Sequence, residues 1–260
     1  MITTAIKIDD RNWAAWLDAI ALNHHIHDIE CDAALFSSPQ FVKSLDRHSL
    51  YCRHARDILP PETARYLNTA PNDAPFNELR KSVIATMMTA EEAGASHFSL
   101  QLRLDEPFPC EENRARKTAT FLRKLLMTPL EKPFKLDIQI RFPYQYPMSR
   151  EWERAIAICD TADSKRIGLS LQIYSGDFDD TPPAPNDIIH DIAEHLHAIE
   201  FHYIPHLGET LFEDELEEWA DTLKTNDFDG LVVFCPHLSD EEEIAPRCLE
   251  IQQCMEFFLR

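Results

Sequence analysis

Polar residues that interrupt apolar runs at alternate positions are where this sequence can do chemistry. Gln101 and Arg103 follow Ser99 in HFSLQLRL, and Gln139 and Arg141 follow Asp137 in FKLDIQIRF. Gln172 follows Ser170 in IGLSLQIY, and Glu200 and His202 alternate with Phe201 and Tyr203 in IEFHYI. A side-chain amide both donates to and accepts from hydroxyl groups. A guanidinium group holds phosphate or carboxylate in a planar fork. Imidazole titrates near neutrality, which suits it to proton transfer. Gln101, Gln139 and Gln172 therefore read as ligands for a polyhydroxylated molecule, Arg103 and Arg141 as holders of an anionic group, and His202 as the acid–base candidate. A purely internal network, Arg103 and Arg141 with Asp137 and Glu200, is the alternative use of the same residues.

These residues need a scaffold that turns one face of each run inward. The apolar runs His97–Leu104, Phe134–Phe142, Ile167–Tyr174, Ile199–Ile204 and Leu231–Phe234 recur at near-even intervals. Helical spacing fills the gaps: Ala115, Ala119, Leu122 and Leu126; Trp152, Ala155, Ile156 and Cys159; Ile188, Ile192 and Leu196; Leu216, Trp219, Ala220 and Leu223. Ser149 and Asn186 stand where N-caps belong. Strands alternating with helices predict parallel βαβ units. Earlier in the chain, Ala5–Ile8, His27–Cys31 and Ser49–His54 supply three further strands, and Trp13–Leu22 and Phe76–Ala93 supply helices. Eight strands predict an α/β fold, one (β/α)8 barrel formed by residues 1–260. In that fold the C-terminal ends of the strands carry the active site. The outward parity is Leu and Ile, so the polar parity faces in, where Val, Ile and Leu usually pack.

Composition excludes several classes. The formal net charge is −20, a field that repels nucleic acid and anionic membrane. Seven cysteines without a CxxC fit a reduced, cytoplasmic protein better than a disulfide or zinc scaffold. MITTAIKIDD lacks the basic and apolar regions of a signal peptide, and no long apolar run predicts a membrane span. GxGxxG, GxxxxGK and GxSxG are absent. His24, His25 and His27 fall in a loop before the second strand. His190, Glu194 and His197 fall on a predicted outer helix, and HDIAEH is not the HExxH order of zinc proteases.

The stretch ELRKSVIATMMTAEEAGASHFSLQLRL (Glu78–Leu104) and the closing FDGLVVF and LEIQQCMEFFL segments resemble the xylose-isomerase-like barrel superfamily. That group includes sugar-phosphate isomerases and epimerases and a DNA-repair AP endonuclease. The resemblance implies a barrel that handles sugars or sugar phosphates. It also implies a divalent metal held by a Glu on the fifth strand, an Asp and a His at the sixth, a His on the seventh and a Glu on the eighth. Here the fifth-strand position matches Gln139, the sixth Gln172 with Ser175 near its partner, and the eighth Phe234 and Cys235. Gln101 matches a fourth-strand His. His202 matches the seventh-strand His and His54 a third-strand His. Amides supply no charge to a divalent cation. The expectation is therefore no metal and no other cofactor, with Mn, Zn or Mg as the alternative. The expected partner is a small sugar or sugar phosphate, and a homo-oligomer is compatible with the sequence. The competing reading is a non-catalytic binding or interaction module, a pseudoenzyme on the same scaffold.

Overall fold

The computed structural model describes residues 1–23, 25–59, 74–102, 104, 111–142, 150–174, 184–203, 213–236, 238 and 243–259. Eight parallel strands close a barrel in sequence order. They are β1 (Thr3–Lys7), β2 (Asp28–Asp32), β3 (Tyr51–Arg56), β4 (His97–Gln101), β5 (Lys135–Arg141), β6 (Ile167–Tyr174), β7 (Leu196–Tyr203) and β8 (Leu231–Pro236). The helices are α1 (Trp13–Leu22), α2 (Pro39–His48), α3 (Ala74–Glu92), α4 (Glu111–Leu126), α5 (Arg150–Ala162), α6 (Pro185–Ile192), α7 (Glu213–Thr225) and α8 (Ile244–Leu259). This is the (β/α)8 architecture the alternation predicts. Closure comes from β1 pairing with β8, from Thr3 against Leu231 to Ile6 against Phe234. No helix among the described residues is long and apolar enough to cross a membrane.

Strand parity divides the interior in two. Ile6, Ile29, Phe98, Leu100, Leu136, Ile138, Ile140, Leu169, Leu171, Ile199 and Phe201 point outward and join the helices in one continuous core. Inside the barrel a small apolar wall, Ala5, Ala198, Leu231, Val233 and Cys235, lines β8 and its two neighbours. The remainder of the lumen is polar: Glu30, His54, Ser99, Asp137, Ser170 and Glu200 are all fully buried.

Local signals explain the element ends. Pro39 opens α2, where the Ser38 hydroxyl accepts from the Phe41 amide, and Ser49 ends it in the left-handed region. Gly94, at φ +100°, turns the chain from α3 toward β4. Three expectations change. The helix predicted through His197 stops at Ile192, and His197 lies in β7. Its cap position is Ala184 followed by Pro185, not Asn186. β4 ends at Gln101, short of Leu104. The first has a cause in the sequence: the apolar positions Ile188, Ile192 and Leu196 keep helical spacing across a helix-to-strand turn.

Between β6 and β7 the register slips. Leu169 faces Leu196, but Ser170 faces Ala198, so His197 is the extra residue of a bulge. Gly168 makes room for it: a methyl there runs into the His195 carbonyl oxygen and the His197 ring. Gly168→Ala is therefore expected to destabilise the fold by about 1–3 kcal/mol, the usual cost of overpacking. Denaturant unfolding of the variant at matched slope checks this; an unchanged midpoint refutes it.

Candidate functional site

Two buried polar clusters occupy the lumen. The lower one centres on Asp137 of β5. Its Oδ1 lies 2.6 Å from His197 Nδ1 and its Oδ2 lies 3.3 Å from His97 Nδ1. Burial pushes this carboxyl up, but the two imidazoles outweigh it and hold it well below the ordinary carboxylate range. The bulge at β7 is what aims His197 inward. Asp137→Ala strips both rings of their acceptor and is expected to cost about 2–5 kcal/mol, since each buried ring nitrogen left unpaired costs about 1–3 kcal/mol. Thermal and chemical unfolding check it, and a cost below about 1 kcal/mol, the scale of an exposed pair, refutes it.

The upper cluster lies toward the mouth and centres on Glu200 of β7. Glu200 Oε1 accepts from the Ser170 hydroxyl at 2.5 Å. Glu200 Oε2 accepts from Gln172 Nε2 at 3.2 Å and His202 Nε2 at 3.1 Å, and Arg56 Nη1 pairs with it at 3.0 Å. Burial raises the Glu200 carboxyl, but Arg56, His202 and His54 outweigh that and hold it well below its ordinary range. The amides form a chain. Gln172 Nε2 also donates to Gln139 Oε1 at 3.1 Å, and Gln139 Nε2 donates to Ser99 Oγ and Asp57 Oδ1, each at 2.9 Å. Asp57 sits at φ 54°, a left-handed turn just past β3, where an Asp is tolerated. Its Oδ2 lies 3.6 Å from Arg56 Nε.

On the other side of Arg56, its Nη1 is 3.7 Å from Glu30 Oε1, and Glu30 Oε2 is 2.6 Å from His54 Nδ1. Neither Glu30 oxygen has an aligned hydrogen-bond partner, so charge rather than directed bonding holds it. Burial lowers the His54 imidazole, but Glu30, Glu200 and Asp137 outweigh it and push it up to about 9. Two carboxylates, Glu30 and Glu200, are thus balanced by two cations, Arg56 and His54. Above this layer the Tyr174 ring stacks on His202 at 4.3 Å between centroids, and the Arg141 guanidinium lies 4.2 Å from the Tyr174 centroid.

Of the residues singled out by sequence, Gln139, Gln172 and His202 converge on Glu200, and His54 joins them through Glu30. Gln101 is exposed at the end of β4, and Arg141 is exposed against Tyr174. Arg103, Ser149, Ser175, His24 and the loop residues Asp177, His206, Glu209 and His237 lie outside the described residues. His25, His27, His190 and Glu194 are exposed. Of the internal-network alternative, Arg103 lies outside the described residues; among the described residues Asp137 meets the His97 and His197 rings, and Arg56 pairs with Glu200. Glu30 and Arg56 escape the sequence reading. Their signals are Glu30 between Ile29 and Cys31, and Arg56 two residues beyond His54 on the same face.

The divalent metal implied by the fold's resemblance finds no fit at its expected positions. The amide oxygens of Gln139 and Gln172 already accept from Gln172 Nε2 and Tyr174 OH. Both Glu200 oxygens are engaged by donors. Cys235 lies near Glu200 and His202, but burial and the carboxylates Glu30 and Glu200 push its thiol well up, away from the thiolate a metal binds.

Compared by sequence, the chain matches no protein-family model and no curated protein. Compared by structure, it has the fold of xylose-isomerase-like barrels. A xylose isomerase domain protein from Alicyclobacillus acidocaldarius superposes with TM-score 0.68 at 11% identity, covering 100% of both chains. The 3-keto-D-glucoside 4-epimerase of E. coli gives TM-score 0.66 at 11% identity, over 97% of this chain and 99% of that one. A family 2 AP endonuclease from Brucella melitensis gives 0.61 at 14% identity, over 94% and 97%. Sugar epimerases and isomerases recur among the similar structures.

His54 gives the site a pH signature. Its folded-state value lies above the ordinary 6.5, so the stability it contributes is complete below about 6.5 and is lost as pH rises through about 9. The melting temperature is expected to fall across that window in the native chain and to show a flattened slope in His54→Gln. Calorimetry at matched ionic strength checks this, and a native profile flat from 6.5 to 9 refutes it.

Proposed function

We propose that this barrel binds a sugar or sugar phosphate at its mouth through side chains alone, without a resident divalent metal. The observation that carries the reading is the complete engagement of Glu200 by Ser170, Gln172, His202 and Arg56. A charge-balanced layer of this kind forms a fixed polar floor. Gln172 and His202 present amide and imidazole edges from that floor, Tyr174 supplies an aromatic surface, and Arg141 supplies a guanidinium suited to an anionic group. The recurrence of sugar epimerases and isomerases among similar structures supports the ligand class. A net charge of −20 opposes a polyphosphate partner and so places nuclease activity last.

If the barrel is catalytic, it is an isomerase or epimerase in which His202 is the residue that moves a proton, with Glu200 orienting its ring. The non-catalytic module is favoured by one specific observation: His202 is only 3% exposed, with Glu200 at its Nε2 and Tyr174 against its ring. Calorimetric titration with ketoses, aldoses and their phosphates, alongside an isomerisation assay on the same panel, separates the readings. Arg141→Ala is expected to weaken a sugar phosphate about tenfold and leave the neutral sugar unaffected. His202→Ala is expected to lower turnover by about 10²–10⁴. Binding without turnover identifies the non-catalytic module, and no binding across the panel refutes the sugar reading.

A further inference from the structure

We propose that Arg56 is the built-in cation of this barrel, filling with its guanidinium a pocket of Glu30, His54 and Glu200 that takes a divalent metal ion once the guanidinium is removed. The proposal deepens the metal-free reading above and rests on it.

The three side chains come from β2, β3 and β7, and each is fully buried. A carboxylate oxygen of Glu30, an imidazole nitrogen of His54 and a carboxylate oxygen of Glu200 all lie within 4.8 Å of one another. Two carboxylates and an imidazole form a donor set typical of zinc-type ions, which bind such atoms at about 2.0–2.2 Å. Closing the trio onto an ion therefore needs only small side-chain movements. These positions are not the ones at which the fold's relatives are expected to carry metal. Only His54 matches a position singled out by that resemblance; Glu30 and Arg56 match none.

Like charges cannot share a dry space this small without a cation among them. Arg56 supplies it. The barrel closes in sequence order, so β3 and β7 face each other across the lumen. Arg56 is therefore long enough to start on one wall and reach Glu200 on the other, at 3.0 Å, while passing Glu30 at 3.7 Å. The small wall of Ala5, Ala198 and Val233 leaves the lumen free for that crossing. A tethered guanidinium cannot dissociate, and it occupies the space between the two carboxylates where an ion would have to sit. The site is thus self-saturated by a residue of the chain.

The test uses Co²⁺, whose ligand-field absorption reports coordination by protein donors. The native chain and Arg56→Ala are each incubated with Co²⁺, freed of excess, and assayed for cobalt content, visible absorption and melting temperature. The native chain is expected to retain none. Arg56→Ala is expected to retain a single Co²⁺ per chain, with visible bands and a raised melting temperature, and to lose all three when Glu200→Gln is added. Arg56→Lys, which keeps a tethered cation, is expected to retain none. If Arg56→Ala is unfolded as purified, recovery of its circular dichroism on adding Co²⁺ or millimolar methylguanidine supports the proposal, and failure to recover with either overturns it. A folded Arg56→Ala that binds no cobalt overturns this proposal alone. A native chain that binds stoichiometric cobalt with the same bands overturns both it and the metal-free reading.

Discussion

Burying the Glu200 carboxylate is the constraint around which the lumen is organised. A carboxylate with no solvent exposure is tolerated only if its charge and its lone pairs are both satisfied. Four side chains from three strands do this: Ser170 and Gln172 from β6, His202 from β7 itself, and Arg56 from β3 across the barrel. Each of these partners is then committed. Gln172 hands its second contact to Gln139, which passes on to Ser99 and Asp57. The inward Ser99, Gln139, Ser170 and Gln172 of β4, β5 and β6 thus form one connected chain that ends on a single buried charge.

The second charge, Glu30, makes the arrangement a quartet. Arg56 stands between the two acids, and His54 is held as an imidazolium by them. The remaining lumen is correspondingly spare. Alanines at positions 5 and 198 and a valine at 233 are too small to fill a barrel layer by themselves, and the long Arg56 side chain reaches into the same lumen from β3. Small residues on one wall and a long one on the other are two halves of the same packing solution. Below this layer, Asp137 is likewise engaged on both oxygens, here by two imidazole rings, and Gly168 with the β7 bulge creates the room for one of them.

The strands from β4 to β7 were legible because their alternation is strict: Leu or Ile on one face and Ser, Gln, Asp or Glu on the other. That pattern placed Gln139, Gln172 and His202 on the inner face. What it could not carry was partnership. Which cation meets Glu200 depends on barrel closure, which sets β3 opposite β7 although they are far apart in sequence. Arg56, rather than a cation from a neighbouring strand, pairs with Glu200 for that reason. Arg56 was missed because β3, Tyr51–Arg56, carries charged residues on both faces, which blurs its alternation, and because the expected strand stopped at His54; Glu30 does alternate with Ile29 and Cys31 and was passed over. His197 was misplaced because a bulge has no periodic signature and the apolar spacing before it still reads as helix.

The fold and the site therefore diverge. Barrels of this shape include sugar epimerases and an AP endonuclease, and the scaffold itself does not decide between chemistries. A metal ion offers an open coordination position and acidifies a bound water. A guanidinium offers neither; it offers a permanent, directional positive charge that costs no assembly step and depends on no metal supply. In the proposed arrangement the buried carboxylates Glu30 and Glu200 need a cation for the lumen's own stability, and Arg56 supplies it from within the chain. On the proposed metal-free reading, the mouth works with chemistry its own side chains supply: hydrogen-bonding amides, one imidazole and an arginine above an aromatic ring.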